Sequence, residues 1–274
     1  MALDINDAFV KQFESEVHMA YQRMGSKLRN TVRSKSNVKG TSTTFQKVGT
    51  GVAGTKSRHG NVPVMSIDHS NVECTVSDYY AADYIDKLDE LKINHDERMV
   101  VTQSAAAAIG RKSDELITDV LDGATQVVTE GGTDGLTLAK IETVFATFGD
   151  NDVPDDGERY FIVSPTAWTD LLGISAFSDA DFVGADDLPY KGGMVARRWL
   201  GFMWMTFSGL DIASNIRKNF AYHRSAVGLA SGAEVSTELN YVPEKAAHLA
   251  TSMMSQGAVL IDTNGVYEVQ SYEA

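Results

Sequence analysis

One stretch near the start of the chain limits the folds open to it. Residues 17–67 contain no aspartate or glutamate. Within them, residues 30–61 consist mainly of Ser, Thr, Gly and Lys with few apolar side chains. A segment of this composition cannot bury itself, so we expect an extended arm or a long hairpin that projects from the body of the protein.

The same stretch is strongly basic, whereas the rest of the chain is acidic. Residues 1–60 carry ten basic and four acidic side chains, a net charge of +6, and residues 61–274 carry 14 basic and 33 acidic, a net charge of −19. This asymmetry predicts an anionic partner: nucleic acid, a membrane surface, or the acidic body of another copy. The candidate contact residues are Arg23, Lys27, Arg29, Arg33, Lys35, Lys39, Lys47, Lys56 and Arg58.

Composition narrows the class of protein further. With 274 residues and 43% hydrophobic content, the chain can bury a substantial core as one large domain or two ordinary ones. Its longest strongly apolar run, residues 199–207, is about half of what a membrane-spanning helix needs. The first residues lack the cationic head and apolar segment of a secretion signal. We therefore expect a protein made in the cytoplasm and not associated with a membrane.

Metal and cofactor chemistry is poorly supported. The single cysteine, Cys74, excludes an internal disulfide and a cysteine-based metal cage, and no two histidines have the one-turn spacing of a zinc protease motif. The acidic residues 150–158 resemble a Ca²⁺ loop, but Pro154 occupies a ligand position and Gly157 is out of register. We expect a solvated turn, no metal, no cofactor and no enzymatic activity.

A glycine motif resembles a phosphate-binding loop but lacks the buried strand and the helix that should flank it. Gly49, Gly51 and Gly54 have the G-x-G-x-x-G spacing. Phosphate binding needs a buried strand before such a loop and a helix after it, because the helix N-terminus supplies amide donors. Residues 41–48 are polar and residues 57–63 cannot be a helix, so a flexible tip is the prediction. A nucleotide-dependent enzyme using residues 49–57, with Lys56, stays as an alternative.

The first half of the chain shows two helical patterns and one strand pattern. Apolar residues at three- and four-residue steps predict a helix over 6–28, and alternation predicts a half-buried strand over 72–76. Asn94 and Glu97 form a capping box that opens a long helix, with Gly123 as its C-cap. Its alanine-rich middle, residues 104–108, reflects either helix propensity or close packing; both explanations stay open.

The second half mixes helices and strands. A helix is predicted over 136–148, with Leu138, Ile141, Val144, Phe145 and Phe148 on one face. A buried strand over 160–163 leads to a helix capped by Ser164 before Pro165. Strands are expected over 199–207, 220–230, 235–242, 249–261 and 266–269. Mixed order favours an α+β fold over a doubly wound parallel sheet.

Three stretches together carry a resemblance to a known family: residues 105–123, residues 151–172 and residues 222–269. In their order and spacing the chain resembles the major capsid proteins of tailed double-stranded DNA bacteriophages, which have the Hong Kong 97-type capsid fold. The resemblance implies an N-terminal arm (1–35), an extended β-hairpin loop (36–75), a peripheral domain with a spine helix (76–135), a mixed-sheet axial domain (136–239) and C-terminal strands that return to both domains (240–274).

The resemblance also implies a function and partners. Such proteins assemble into hexamers and pentamers of an icosahedral shell around the genome, with the extended loop over a neighbour's peripheral domain. The implied partners are copies of the chain itself, a separate scaffolding protein, a portal protein and packaged DNA that is contacted non-specifically. Some members crosslink a loop lysine to a neighbour's asparagine; Lys56 is the obvious lysine here, but we predict no such bond.

The main alternative is a nucleic-acid-binding protein that uses the basic segment 23–58. Several cations on one segment can neutralise phosphates without reading a sequence. Between residues 26 and 61, however, only Phe45 could stack on a base. We therefore expect the basic segment to contact the acidic body of a neighbouring copy.

Overall fold

The computed structural model describes residues 23, 25–90, 96–129, 134–179 and 193–273, without the side chains of residues 89 and 90. Most of the helix predicted over 6–28 lies outside these residues, as does Asn94 of the capping box. The last residues of that prediction, 25–28, are described and are not helical. Gly25 has a φ of +71°, which ends any helix at this point.

The described residues contain five helices and thirteen strands. The helices are α1 (Lys87–Glu90), α2 (Glu97–Leu121), α3 (Leu138–Asp150), α4 (Pro165–Leu172) and α5 (Ser175–Ser178). The first seven strands are β1 (Arg33–Lys35), β2 (Ser42–Val48), β3 (His69–Thr75), β4 (Ser77–Asp86), β5 (Val127–Val128), β6 (Arg159–Val163) and β7 (Arg197–Trp199). The others are β8 (Phe202–Thr206), β9 (Ile212–Ala213), β10 (Ile216–His223), β11 (Val227–Val242), β12 (Ala247–Leu260) and β13 (Val266–Tyr272).

The strands form three sheets. One has the order β1-β11-β12-β4, a second has the order β5-β13-β10-β6-β8-β7 with β9 added beside β10, and β2 and β3 form a third. Parallel pairs such as β6 with β8 occur beside antiparallel pairs such as β10 with β13. The α+β prediction is therefore confirmed.

The chain divides into two compact units. The described part of the smaller unit comprises residues up to Ser26, Asp78–Lys112 and Ala233–Ser255. The larger unit comprises Lys27–Ser77, Ser113–Gly232 and the residues from Gln256 onward. The finer division into arm, loop, peripheral domain, axial domain and C-terminal strands stays a prediction.

Aromatic side chains fill the core of the larger unit. Phe161 of β6 and Trp204 of β8 stack with ring centroids 4.1 Å apart, and Phe148 of α3 meets Phe202 edge to face at 5.2 Å. Offset stacking and edge contacts are the arrangements that aromatic rings favour. Trp168 of α4 joins this cluster and is buried. The core thus fixes α3 and α4 against the sheet.

Helix α3 confirms the predicted helix over 136–148 with one error. Thr137 caps it, and Ile141, Val144 and Phe148 are buried as predicted. Phe145 is 42% exposed, because the buried stripe is narrower than the apolar pattern suggested. Lys140 is buried instead, and its Nζ donates to the carbonyl oxygens of Asp134, Gly135 and Gln270 at 2.9, 2.9 and 2.8 Å.

The predicted cap of α4 is also confirmed. The Ser164 hydroxyl accepts a hydrogen bond from the amide of Ala167 at 3.0 Å, and Pro165 occupies the first turn. The same hydroxyl contacts the carboxylate of Glu273, so Ser164 links the helix to the end of the chain. Its role is structural, as the sequence indicated.

Two predicted strands are each wrong in one respect. The run 199–207 is the end of β7 and all of β8, joined by a turn at Leu200 and Gly201 with φ of +48° and +74°. Positive φ at both central residues is the tight hairpin turn that matches strand twist. The segment 220–230 is interrupted by a 3-10 turn over Arg224–Ala226, where the His223 ring accepts from the Ser225 amide at 3.2 Å.

Helix α2 confirms the predicted long helix, but its closest approach to another part of the backbone is not in the alanine-rich segment 104–108. It ends at Leu121, and Gly123 follows without adopting a left-handed conformation. A Cβ atom on Gly110 would lie 2.7 Å from Gly25 Cα, so the closest approach falls after the alanine run 104–108. Ala105 and Ala107 are nevertheless buried, which supports packing as one reason for small residues there.

The projecting segment is a hairpin, as expected. Strands β2 and β3 pair antiparallel, with Phe45 opposite Val72 and Val48 opposite His69. Residues 49–68 between them form no helix or strand. We call residues 42–75 the projecting hairpin and residues 49–68 the hairpin tip. Phe45 and Cys74 are its buried side chains, and they form a cluster with Ala230 and Ile261.

Gly257 of β12 lets the chain cross close to the end of the projecting hairpin. A Cβ at this position would lie 1.9 Å from the carbonyl oxygen of Thr75 and 3.3 Å from Val76 Cα. Both neighbours are backbone atoms, so neither can turn aside as a side chain could.

We expect Gly257→Ala to lower the free energy of unfolding by at least about 1–3 kcal/mol, the usual cost of overpacking. Gly149→Ala is the matched control, because a Cβ there meets no atom within 4 Å and alanine favours helix α3. Chemical denaturation of both purified variants measures the difference. Equal stability of the two variants would contradict the close crossing.

Candidate functional site

The hairpin tip exposes an unusual number of apolar side chains. Of residues 49–68, only Gly60 and Ile67 are half-buried, and the others are exposed. Val52, Val62 and Val64 are 84%, 71% and 92% exposed. Grouped apolar side chains in water mark a surface that another molecule covers.

Local contacts bring the two legs of the tip together. The amide of Gly49 donates to the carbonyl oxygen of Asp68 at 2.8 Å. Beyond this bond, Gly51 lies against the Met65 side chain and Gly54 against Pro63, so closely that a Cβ would come within 2.3 Å and 2.8 Å of them. The glycines that resembled a phosphate motif therefore serve the close approach of the two legs.

The structure separates the nine candidate basic residues into three groups. Lys56 and Arg58 lie exposed in the hairpin tip, and Lys39 lies exposed before β2. Among the described residues these three make no ion pair. Their charges are therefore available to a partner.

A second group supports the base of the projecting hairpin. Lys35 Nζ donates to Thr43 Oγ1 at 2.7 Å, and the Arg33 guanidinium lies 5.7 Å from the centroid of the Phe45 ring. Lys47 Nζ forms an ion pair with Asp262 Oδ1 at 2.9 Å. These cations contact the chain that carries them, a role that sequence reasoning did not predict.

The third group consists of Lys27 and Arg29, at the start of the larger unit, and of Arg23 in the smaller unit. The amides of Lys27 and Leu28 donate to the Asp114 carboxylate at 3.2 and 3.0 Å, and Asp114 is fully buried. Arg29 is half-buried in the 3-10 turn that follows. In the smaller unit, the carbonyl oxygen of Arg23 accepts from Arg111 Nη1 at 3.4 Å. The nine residues therefore do not form one patch.

Sequence reasoning missed the carboxylates that organise this region. Asp114 lies in the middle of a helix and Asp262 precedes a short turn, where its Oδ1 accepts from the amide of Asn264 at 3.1 Å. The Asp-Thr-Asn-Gly composition could have revealed the turn at Asp262. Nothing local could have revealed that it lies opposite Lys47.

The acidic residues 150–158 form a turn with a hydrogen bond to β10 and an ion pair to the 3-10 turn after it. Glu158 contacts Arg224 at 2.7 Å, and His223 Nε2 lies 3.1 Å from Asp156 Oδ1. The backbone amide of Glu158 and then the His223 ring hold the pKa of the Asp156 carboxyl below its ordinary value. Within the described ranges, no group of three or more ligating side chains is placed to hold a metal ion.

The smaller unit has an exposed surface of its own. Alternation places Tyr80 and Tyr84 on one face of β4, and Leu239 and Tyr241 on one face of β11; all four are exposed. Acidic side chains exposed on the same strands and the turn after β11 are Asp83, Asp86, Glu238 and Glu244. By the same alternation, Asp83 and Glu238 lie on the opposite faces of β4 and β11. Lys245 Nζ lies 3.9 Å from the centroid of the Tyr84 ring, and Lys87 Nζ lies 5.9 Å from that of Tyr241. The smaller unit therefore exposes aromatic and apolar groups together with charges of both signs.

Both phosphate-binding hypotheses lack the geometry they need. Strand β2 precedes the glycines, but residues 55–68 after them form no helix, so the following segment offers no helix N-terminus to a phosphate. Phe45, the one aromatic ring available for base stacking, is 2% exposed.

In the described part of the chain, no helix is long and apolar enough to span a membrane.

Comparison with known families decides between a capsid protein and a nucleic-acid-binding protein. The model of a family described as phage capsid protein matches residues 5–273. The chain belongs to the phage capsid protein family. It is a structural major capsid protein of the virion, with the Hong Kong 97-type fold that the sequence suggested.

Solved structures agree with this capsid assignment at the level of the fold. The capsid structure of cyanophage P-SCSP1u has a TM-score of 0.78 at 16% identity, covering 100% of this chain and 95% of that one. A structure from Mycobacterium phage Che8 has a TM-score of 0.76 at 17% identity, covering 98% of both. The cyanophage Pam1 capsid has a TM-score of 0.73 at 14% identity, covering 98% and 97%. No curated protein matches the sequence.

Membership of a family of structural proteins leaves the hypothesis of a nucleic-acid-binding protein using residues 23–58 without support. The buried Phe45 explains physically why this segment is not a single-strand platform.

The Asp114 carboxylate gives a test of how the basic segment is anchored. We expect Asp114→Ala to destabilise the subunit by about 1–3 kcal/mol, because the buried amide of Leu28 loses its acceptor. Glu142→Ala on the exposed side of α3 is the control and should change stability by less than about 0.5 kcal/mol. Thermal unfolding of both variants measures this. An unchanged Asp114→Ala midpoint would refute the anchoring role.

Proposed function

We propose that this capsid protein assembles with copies of itself into hexamers and pentamers, which build an icosahedral shell around a double-stranded DNA phage genome. It has no catalytic role in this proposal. The observation that carries the proposal is the hairpin tip, which is exposed, apolar and basic in a chain that is otherwise acidic. Exposing apolar side chains to water is unfavourable in free energy, and burying them against another copy on assembly removes this penalty.

The proposed receptor for the hairpin tip is the peripheral domain of a neighbouring copy. The smaller unit exposes Tyr84, Leu239 and Tyr241 on strands that also carry exposed acidic side chains, whereas the tip exposes valines among basic ones. Apolar groups would meet apolar groups and opposite charges would face each other, which favours the correct encounter. Lys56 and Arg58 are the residues we expect to contribute most to this attraction.

A contact between the tip of one copy and a different surface of the next is head-to-tail. Head-to-tail contacts close into rings when the rotation between copies permits, as hexamers and pentamers require. Burying one valine contributes about 1.5–3 kcal/mol, and association costs about 4–15 kcal/mol. A single tip contact is therefore weak, and a closed ring is stable because each copy gives one contact and receives another.

The charge of the protein disfavours tight binding to the packaged DNA. The net charge of −19 over residues 61–274 repels duplex DNA at distances within a Debye length of about 8 Å. Packaged DNA would therefore meet the wall only non-specifically. The proposal also includes synthesis in the host cytoplasm, a separate scaffolding protein and a portal protein as partners.

Reversing the charge of the tip tests the electrostatic part of the proposal. We expect Lys56→Glu with Arg58→Glu to raise the concentration needed for assembly by about tenfold, because like charges would then face each other. Lys56→Arg with Arg58→Lys keeps both charges and should assemble normally. Electron microscopy and light scattering of the purified protein, alone and with its neighbouring gene products, measure shells and capsomers. Normal shells from the reversed variant would count against the proposal.

The apolar part has a separate test at Val64, which is almost fully exposed in the subunit. We expect Val64→Asp to leave the unfolding midpoint of the isolated subunit unchanged and to weaken assembly about tenfold or more. Denaturation and light scattering on the same preparation separate the two effects. Unchanged assembly would place the tip away from any subunit contact.

A further inference from the structure

The ion pair between Lys47 and Asp262 joins the projecting hairpin to the rest of the larger unit. Lys47 is the second-last residue of β2, and its Nζ lies 2.9 Å from Asp262 Oδ1. Asp262 is held in place, because its Oδ1 accepts from the Asn264 amide and its own amide donates to the carbonyl oxygen of Ala226 at 3.2 Å. One partner is therefore fixed and the other belongs to the hairpin.

The rest of the attachment lies near residues 43–45 and 74–75: the cluster of Phe45 and Cys74 with Ala230 and Ile261, the Lys35–Thr43 hydrogen bond and the crossing of Gly257 at Thr75. Strands β2 and β3 are hydrogen-bonded only to each other within the described sheets. Phe45 packs against Gly228, where a Cβ would lie 2.9 Å from the ring, and against Ile261. These contacts hold the hairpin at the end away from its tip, whereas Lys47 lies two residues nearer the tip than Phe45.

A cleft separates the hairpin from the loops beside it. It has a volume of about 330 Å³ and is lined by residues 47–50 on the hairpin side and by residues 151–154 and His223 on the other. Lys47 and Asp262 both line it, and their ion pair joins the hairpin side of the cleft to the turn at Asp262. The hairpin therefore has space to turn towards these loops when the pair is broken.

We propose that the Lys47–Asp262 pair is an intramolecular latch that sets the direction of the hairpin tip in the unassembled subunit. This assigns Lys47 as a positioning residue and removes it from the set of direct inter-subunit contacts. The inference rests on the proposed function, because the direction of the tip matters only if the tip meets another copy. Fixing the tip before the encounter lowers the entropy lost when copies associate.

The ion pair that forms the latch is weak, so the direction of the hairpin can still change. Both side chains are 36% exposed, so solvent and salt screen the attraction. An exposed pair of this type shifts a two-state equilibrium by up to about fivefold. The hairpin can therefore hold one direction in the subunit and still adapt on a neighbouring copy.

Distances between the tip and the body of the unassembled full-length chain test the latch directly. Spin labels on Thr55→Cys in the tip and Thr166→Cys on α4 report that distance by double electron–electron resonance. Cys74 is buried, and burial raises the pKa of its thiol, so it resists labelling. We expect Lys47→Gln to broaden the distance distribution and to raise the displaced population by up to about fivefold.

Two further variants complete the test. Asp262→Asn keeps an acceptor for the Asn264 amide and should broaden the distribution as Lys47→Gln does, while the double variant should be no broader than either single one. Lys56→Gln removes the same charge from the same hairpin and should leave the distribution unchanged. An unchanged distribution in Lys47→Gln, or additive broadening in the double variant, would overturn the latch.

Assembly assays separate the latch from the proposed function. If the labelled wild-type chain forms no shells but Lys47→Gln broadens the distribution, the latch stands and the proposed function fails. If Lys47→Gln assembles poorly with an unchanged distribution, Lys47 acts across the subunit boundary, which contradicts the latch and supports the proposed function. A broadened distribution together with slower assembly is the result that supports both.

Discussion

The contact of Phe45 with the body of the larger unit is the interaction on which the projecting hairpin depends. A two-stranded hairpin is at best marginally stable in water on its own, and here β2 and β3 pair only with each other within the described sheets. Phe45 fills a site made by Gly228, Ala230 and Ile261, where glycine provides the space for the ring. Strand β1, held parallel to β11, brings Arg33 to the ring and Lys35 to Thr43 of β2. Phe45, together with the buried Cys74 on the paired strand, thus carries a long exposed segment.

The larger unit gives the hairpin a firm base because buried side chains such as Arg159 and Asn219 hydrogen-bond to loops and neighbouring strands. The Arg159 guanidinium lies 5.5 and 5.9 Å from the ring centroids of Phe148 and Phe202 and donates to the carbonyl oxygens of Val153 and Pro154. Asn219 accepts from the amide of Ser164 and donates to Ser271 Oγ. Each of these groups ties a loop or a chain end to the sheet, since an unsatisfied polar group in the interior would be costly. The loops that line the cleft beneath the hairpin are fixed in this way.

A capsid subunit has to be stable alone and still gain free energy on assembly. In the proposed assembly this chain separates the two requirements, because its core aromatic residues are buried within the larger unit while the valines of the hairpin tip stay in water. The basic residues follow the same division. Arg33, Lys35 and Lys47 contact other residues of their own chain, whereas Lys56 and Arg58 are exposed in the hairpin tip. Subunit folding and subunit association can therefore be changed by different substitutions.

The sequence alone determined the features that depend on local spacing and composition. The glycine-rich, carboxylate-free stretch predicted the projecting hairpin, apolar periodicity predicted α2 and α3, and Ser164 with Pro165 predicted the start of α4. The order of three stretches predicted the capsid fold and the function that goes with it. Tertiary structure alone decided that the apolar run 199–207 turns at Leu200, that Phe145 faces water while Lys140 is buried, and that Lys47 meets Asp262. The physical reason is that periodicity and capping act within a few residues, whereas burial and the partner of a charge depend on segments far apart in the chain.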